Sequence, residues 1–203
     1  MTTPDQRPER ARAEDPRTAR TRARLRESLL AECGSGRELA EVSVSAVVRR
    51  AGVGRATFYL HYEDLPALAV DACAEVVHAA VDALHAWQAG PGSVAPPRPP
   101  AALAEYLSGA AGHAALYRSL LLPGGGGPLG ERLHRELRDR ARSERLAVGA
   151  PHADLVASAV AAAFTGVLAD WLHGLVPDTD PSALADRVWA LLKALHRTLP
   201  PTD

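Results

Sequence analysis

The sequence predicts an all-α protein on three observations. Apolar side chains recur every three or four residues along most of the 203-residue chain, as they do on one face of a helix. The alternating apolar and polar pattern of a half-buried strand extends over no useful length. Glycine and proline clusters divide the periodic segments into about nine helices. Because 47% of the residues are apolar, a chain of this length can bury a substantial core.

The N-terminal third is predicted to contain a basic arm and a head of three helices. Residues 1–16 are polar, include three prolines and lack an apolar stripe, which predicts a disordered arm. A helix is predicted over residues 17–33, where leucines lie on one side and arginines on the other. The second helix, over residues 44–51, has Ser43 as its N-cap and ends at Gly52. A third short helix is predicted to begin near Gly54 or Arg55 and to run through Tyr59 or Leu60.

A long fourth helix, over residues 64–88, begins the predicted C-terminal body, with Asp64 as its N-cap and Pro66 in its first turn. The proline-rich stretch at residues 90–100 then interrupts the helical pattern. Five more helical segments follow, at residues 101–111, 113–122, 129–148, 152–174 and 181–199. The chain is thereby divided into an arm, a head and a body, at residues 1–16, 17–63 and 64–203.

Charge is distributed unevenly between the two ends of the chain. Residues 1–62 contain 12 arginines and 8 acidic residues, whereas the remainder contains 11 basic and 16 acidic residues. The formal net charge of -1 therefore combines a basic head with an acidic body. Such an asymmetry is typical of a polyanion-binding segment attached to a part with a different task. A basic solvated face gives the same counts, so charge alone does not establish a binding site.

The sequence favours neither a membrane protein nor a disulfide or zinc framework. No apolar run follows Met1, and no stretch approaches the roughly 20 apolar residues that span a bilayer. We therefore expect a cytoplasmic protein without a membrane partner. Cys33 and Cys73 lack the paired spacing of a zinc site, and we expect buried or idle thiols.

Three further chemistries are weaker alternatives. His78, Asp82 and His85 share one face of a helix, so a metal site is geometrically possible, although exposed polar residues form the same pattern. The glycines at residues 124–127 lack the preceding strand and the following Gly-Lys-Ser/Thr of a phosphate-binding loop. No serine, cysteine or acid pair has a placed catalytic partner. We therefore predict no enzyme activity, no cofactor and no metal.

The stretch AGVGRATFYLHYEDL, at residues 51–65, contains the residue types of a DNA-binding helix-turn-helix. Two short helices joined by a glycine-containing turn can place the second helix in the major groove of DNA. Small residues keep the start of that helix slim, and its backbone N–H groups favour phosphate oxygens. Arg55 and Thr57 are the candidates for contacts with base edges, with an exposed salt bridge as the alternative for Arg55.

The rings in this stretch have a predicted division of roles. Tyr59 and His61 alternate with Phe58 and Tyr62 in the sequence. Tyr59 and His61 are expected to face the phosphates of a DNA strand. The neighbouring residues on both sides already provide the apolar face that packs on the core. The second pair is expected to anchor the short helix in the core.

The segment SVSAVVRRAGVGRATFYLHYEDL, at residues 43–65, resembles the signature of TetR-family transcriptional regulators, in the branch with TFYxHYxD after the glycine turn. The resemblance covers roughly residues 18–68 and continues beyond them only in helix count and length. It implies a DNA-binding head and a body that binds an effector and forms a dimer. The positions it implies for DNA contact are Ser43, Ser45, Arg55, Thr57, Tyr59 and His61. Leu65 stands where the family commonly has a phosphate-contacting lysine, for which the arginine-rich residues 7–26 can compensate.

A pocket for a small molecule is predicted between the fourth and eighth helices. Aromatic side chains with few charges favour a mainly apolar effector, which His113 or Tyr117 can orient with a hydrogen bond. Core packing is the alternative role for each of these side chains. The predicted lining residues are Trp87, Tyr106, His113, Tyr117, Phe164 and Trp171.

Apolar stripes on the last two helices predict a dimer interface. Small residues on the eighth helix allow close approach, and apolar residues recur at spacings of three and four on the ninth. Two such helices from each subunit would form the four-helix interface that the resemblance also implies. An intramolecular core is the alternative explanation for part of each stripe. The predicted interface residues are Val156, Val160, Val167, Leu184, Val188, Leu191 and Leu195.

Together these features predict a homodimeric, ligand-responsive repressor that binds a pseudo-palindromic operator in double-stranded DNA. Its two heads would read half-sites about 34 to 36 Å apart. The resemblance implies that a small effector in the body shifts the fourth helix, moves the heads and lowers operator affinity. The alternative is a helical protein-interaction module whose head no longer binds DNA, which Leu65 in place of lysine leaves open.

Overall fold

The computed structural model describes residues 15–34, 36–74, 97–176 and 180–197. Within these ranges the chain forms nine α-helices and no β-strand, which confirms the predicted all-α class. The helices are α1 (Pro16–Cys33), α2 (Val44–Ala51), α3 (Arg55–His61), α4 (described over Leu65–Ala74), α5 (Ala101–Gly112), α6 (Ala114–Leu120), α7 (Gly127–Ala147), α8 (Ala153–Leu172) and α9 (Pro181–Arg197). The predicted arm lies outside the described residues except at its last two positions.

Capping residues set the ends of the head helices. The Asp15 carboxylate accepts a 2.9 Å hydrogen bond from the backbone N–H two residues on, so α1 begins at Pro16, one residue before its predicted start. The Ser43 hydroxyl accepts a 3.2 Å hydrogen bond from the Ala46 backbone N–H and starts α2. α2 ends at Gly52, whose φ of 63° lies in the left-handed region that glycine adopts without strain.

The three head helices share a small apolar core. α1 packs against α2, and α2 packs against α3, which brings the fully buried Leu25, Leu29, Val47 and Phe58 into one cluster. Burying a side chain of this size contributes roughly 1.5–3 kcal/mol. The Phe58 and Tyr62 rings lie 6.0 Å apart and are 0% and 6% exposed. The predicted anchoring role of these two residues is therefore confirmed.

The body is built around α8. This helix packs against α7 and α9, while α5 packs on α9 and α6 contacts both α7 and α8. A short 3-10 turn, Pro123–Gly125, lies on α8 immediately before α7 begins. The approach of α7 to this turn is very close, because a Cβ placed on Gly130 would lie 1.9 Å from the Gly125 carbonyl oxygen.

We expect Gly130→Ala to lower the free energy of unfolding by about 3 kcal/mol, because the added methyl group overlaps a backbone atom that cannot rotate away. Urea denaturation followed by helical circular dichroism measures the change. Gly109→Ala on α5 is the matched control, since a Cβ there meets nothing within 4 Å and a helical alanine stabilises by up to about 1 kcal/mol. A similar loss in both variants would contradict the close contact.

α8 corrects one statement made from the sequence. The helix has 20 residues with a mean hydropathy of 1.7, so by length and composition alone it is apolar enough to cross a bilayer. Half of that window is buried against the other helices, which is the usual environment of a core helix. The expectation that no segment is long and apolar enough to span a bilayer is therefore wrong for α8. The burial of this helix, rather than its length or composition, is what favours a core helix.

Candidate nucleic-acid interface and its contacts with the body

Three large side chains are exposed on α3, namely Arg55, Tyr59 and Leu60, and we call them the α3 face. Tyr59 is 50% exposed and Leu60 is 82% exposed. The Arg55 guanidinium lies 5.9 Å from the Tyr59 ring centroid, and its Nη2 lies 3.5 Å from the phenol oxygen. Arg55 forms no ion pair with any described residue, so the predicted alternative of an exposed salt bridge is not seen there. Leu60 was absent from the sequence-based candidates, because its large exposure depends on how α3 sits on the head.

The other predicted DNA-contact residues surround the α3 face with different accessibilities. Thr57 and His61 are half-buried, whereas Ser43 and Ser45 at the start of α2 are exposed. The Ser43 oxygen serves as the N-cap acceptor, which leaves its hydroxyl hydrogen free to donate to another group. Leu65 is partly buried and packs against the apolar core.

Cationic side chains border the turn between α2 and α3. The Arg24 guanidinium lies close to Gly52, where it would be 2.9 Å from an added Cβ. Arg49 and Arg50 lie in the last turn of α2, and Arg50 forms a 3.4 Å ion pair with Glu32. The positive charge predicted for the head is therefore placed beside the helix-turn-helix.

A buried carboxylate, Asp71 on α4, joins the head to the body. Two α1 side chains reach it, with Arg22 Nη2 at 3.1 Å from Oδ1 and Arg26 Nη1 at 3.2 Å from Oδ2. Arg132 of α7 approaches from the body, with its Nη1 at 3.2 Å from Oδ1. The Tyr62 hydroxyl donates a 2.6 Å hydrogen bond to Oδ2. These five residues, which we call the Asp71 cluster, fasten α1, α4 and α7 together.

The Asp71 cluster stabilises the ionised carboxylate. Burial by itself would raise the Asp71 pKa, but hydrogen bonds from Tyr62 and Arg26 and the charge of Arg22 outweigh it and lower the pKa to about 2. Burial and the hydrogen bond to Asp71 raise the pKa of the Tyr62 phenol. The phenol therefore stays protonated and remains a hydrogen-bond donor at neutral pH.

We expect part of the stability of the protein to be lost between about pH 4 and about pH 2. The Asp71 pKa is lowered from 3.8 to about 2 on folding, so its stabilisation is present above the unfolded pKa and disappears as the pH falls through the folded pKa. The contribution is about 2 kcal/mol. Urea denaturation at several pH values measures it, and the difference between the wild type and Asp71→Asn isolates it from the other carboxylates.

The structure brings together three of the predicted pocket aromatics and separates the others. Tyr106 lies 6.4 Å from Tyr117 and 6.2 Å from Phe164 between ring centroids, and each of the three residues is at most 4% exposed. The Tyr106 hydroxyl is buried, and burial raises the pKa of this phenol. His113 lies at the α5–α6 junction, where its Nδ1 is 3.0 Å from the Gly109 carbonyl oxygen. Trp171 is half-buried near the end of α8, and Trp87 lies outside the described residues.

A cleft that the sequence did not indicate opens elsewhere in the body. It has a volume of about 480 Å³ and lies between α7, α8 and the Pro123–Gly125 turn, so we call it the α7–α8 cleft. None of the predicted pocket residues lines it. Its lining residues are Gly124, Gly125, Gly130, Glu131, His134, Arg135, Arg138, Ala162 and Thr165. They come from segments up to 41 positions apart in the chain, which explains why periodicity gave no sign of them.

The predicted dimer residues divide into two groups. Val156, Val160, Leu184 and Val188 are 2% to 7% exposed and belong to the core of the single chain. Val167 and Leu195 are only partly buried, and Leu191 is 39% exposed. Leu155, at 62% exposure, is a large apolar side chain on α8 that the candidate interface did not include. The first group is therefore buried within the single chain, as the alternative of an intramolecular core predicted. Only the second group has surface that a second copy could contact.

The cysteine and metal predictions have different outcomes. Cys33 and Cys73 are both buried free thiols, as predicted, and burial raises the pKa of each, that of Cys73 to about 12. Among the described residues, no group of three histidines, cysteines or acids could hold a metal ion. His78, Asp82 and His85 lie outside those residues, so the structure says nothing about that alternative.

The fold and the site define an all-α protein in which a helix-turn-helix head is fastened to a helical body. The head presents the α3 face, and the Asp71 cluster connects it to α7. Comparison of the chain with protein-family models and with curated proteins finds no match. The functional assignment therefore depends on the geometry and on the sequence signature at residues 43–65.

Proposed function

We propose that the protein is a DNA-binding transcriptional regulator of the TetR type. The observation that carries the proposal is the α3 face, where Arg55, Tyr59 and Leu60 are exposed on a short helix directly after a left-handed glycine turn. A guanidinium can bind guanine edges or phosphates, and an exposed leucine suits a thymine methyl group. Ser43, Ser45, Thr57 and His61 would add contacts at the border of the face.

The regulator is proposed to act as a cytoplasmic homodimer and to have no enzymatic activity. Two heads would read a pseudo-palindromic operator, because a single seven-residue helix can contact only a few base pairs. The accessible apolar residues of α8 and α9, including Leu155, Val167 and Leu191, supply a surface that a second copy can cover. The surrounding alanines permit close approach of helices.

Regulation is proposed to act through α4. Its first residues follow the head directly, and Asp71 ties it both to α1 and to α7. A small, mainly apolar effector bound beside the aromatic residues Tyr106, Tyr117 and Phe164 would move α4 relative to the head and release the operator. The burial of these three rings supports this position, because pockets for apolar ligands are lined mainly by apolar and aromatic side chains.

A gel-shift assay on the DNA upstream of the protein's own gene tests the proposal. We expect a sequence-preferring complex whose affinity falls steeply with added salt, because arginines displace counterions from phosphates. The competing protein-interaction module would bind partner proteins and give no such complex. Absence of any salt-sensitive complex at low ionic strength would therefore refute DNA binding.

Leu155→Glu combined with Leu191→Glu is expected to convert the dimer to a monomer, because two charges would be buried at an apolar contact. Sedimentation velocity measures the change in mass. Leu146→Glu on α7 is the control, since this leucine is 51% exposed but lies on a helix that the proposed interface does not include. Equal sedimentation of the wild type and the double variant would contradict the proposed surface.

A further inference from the structure

The floor of the α7–α8 cleft is formed where the Pro123–Gly125 turn meets α7 and α8. The backbones approach so closely there that Gly125 and Gly130 leave no room for a side chain. A Cβ on Gly125 would lie 3.1 Å from both the Thr165 Cγ2 atom and the Gly166 nitrogen, and a Cβ on Gly130 would overlap the Gly125 carbonyl. The turn therefore rests directly on α8 and on the start of α7. This close contact of two backbone segments borders the space of about 480 Å³.

Thr165 places a buried hydroxyl at this floor. The residue is 2% exposed, lines the cleft, and its Oγ1 has no hydrogen-bond partner among the described residues. A buried hydroxyl without a partner destabilises the folded protein. Because this oxygen has no accessible surface, a ligand in the cleft does not reach it in this conformation, and the anion contacts come from the α7 wall.

The α7 wall of the cleft is cationic. Arg135 forms no ion pair with a described residue, and the contact that Arg138 makes is a long one of 3.9 Å, with Asp139. The other arginines of α7 near carboxylates are paired more closely, as Arg132 is with Glu136 at 2.9 Å. The wall thus contains two arginines that are not neutralised by close carboxylates.

The remaining charged and titratable groups of the lining are His134 and Glu131. His134 lies on the same wall as the arginines and can donate or accept a hydrogen bond. Glu131 is the one carboxylate among the lining residues, so the cleft has a net positive charge even when His134 is neutral. An anion is therefore the complementary ligand.

We propose that the α7–α8 cleft binds a small acidic molecule, whose carboxylate or phosphate group pairs with Arg135 and Arg138. Planar guanidinium groups match these oxyanions with two parallel hydrogen bonds. This site is separate from the apolar effector position beside Tyr106. It does not depend on DNA binding.

Isothermal titration of the full chain without DNA, using malonate and inorganic phosphate as probes, tests the proposal. We expect at least one anion to bind and the uncharged analogue malonamide not to bind. The separate titrations show whether carboxylate or phosphate is preferred. Because no DNA is present, failure here leaves the proposed regulator intact, and failure of the gel shift leaves this site intact.

Arg135→Gln combined with Arg138→Gln is expected to weaken anion binding by more than about tenfold, since two charge-assisted contacts are lost. Arg142→Gln on the same helix, which removes a charge paired with Asp154 outside the cleft, should leave binding unchanged. Thr165→Val should raise the Tm of the free protein, because it removes the unpartnered hydroxyl. Unchanged affinity in the double variant, equal binding of malonamide, or no anion binding at millimolar concentrations would overturn the proposal.

Discussion

Replacing Asp71 with asparagine is expected to lower the free energy of unfolding by about 3 kcal/mol. The carboxylate is 4% exposed and receives hydrogen bonds from Arg22, Arg26, Arg132 and Tyr62. Asparagine keeps the shape but carries no charge, so three guanidinium groups lose their common anion. Breaking a buried ion pair usually costs about 3–5 kcal/mol of unfolding free energy. We expect a loss near the lower limit because these arginine side chains are 17% to 33% exposed and remain in contact with water.

Asp154→Asn is the matched control for Asp71→Asn. Asp154 also accepts from an arginine, Arg142, but its side chain is 69% exposed, and exposed pairs contribute roughly 0–1 kcal/mol. Urea denaturation of both variants at neutral pH compares the two sites directly. Equal changes would show that the Asp71 cluster does not hold the head to the body.

Replacing Arg55 and Tyr59 together with alanine is expected to weaken binding to the specific operator by about 100-fold or more. The two side chains contact each other through the guanidinium and the phenol oxygen, so each helps to hold the other in position over the surface of α3. Fluorescence anisotropy with a labelled operator measures the affinity. Because both side chains are largely exposed, the Tm should change little, which separates loss of binding from loss of folding.

Arg142→Ala is the control for the double variant at the α3 face, since it removes an arginine from the body and leaves the head intact. Its affinity for the operator should match that of the wild type. Retention of wild-type affinity by the Arg55 and Tyr59 variant would instead favour the protein-interaction module. Repeating the measurement at several salt concentrations distinguishes base contacts from phosphate contacts, because only the latter change the salt slope.

Local patterns in the sequence were enough to locate the helices and the inner side of α3. Ser43 and Gly52 bound α2 through a hydrogen bond and a backbone angle that involve only nearby residues. Phe58 on α3 and Tyr62 directly after the helix are four positions apart, and both are buried on its inner side. The predictions about α8 and α9 were less accurate, because a stripe has the same spacing whether its partner is in the same chain or in another.

The amino-acid sequence by itself determined the all-α class, the caps and turns of the head, and the residue types available to contact DNA. These features depend on hydrogen bonds and periodicities within a few residues. Only the tertiary structure decided that Asp71 joins Arg22 and Arg132, which lie 49 and 61 positions away in the chain. It also decided which apolar residues of α8 and α9 stay exposed and where arginines and glycines form a cleft. Such features arise when distant segments pack together, and no local pattern encodes that contact.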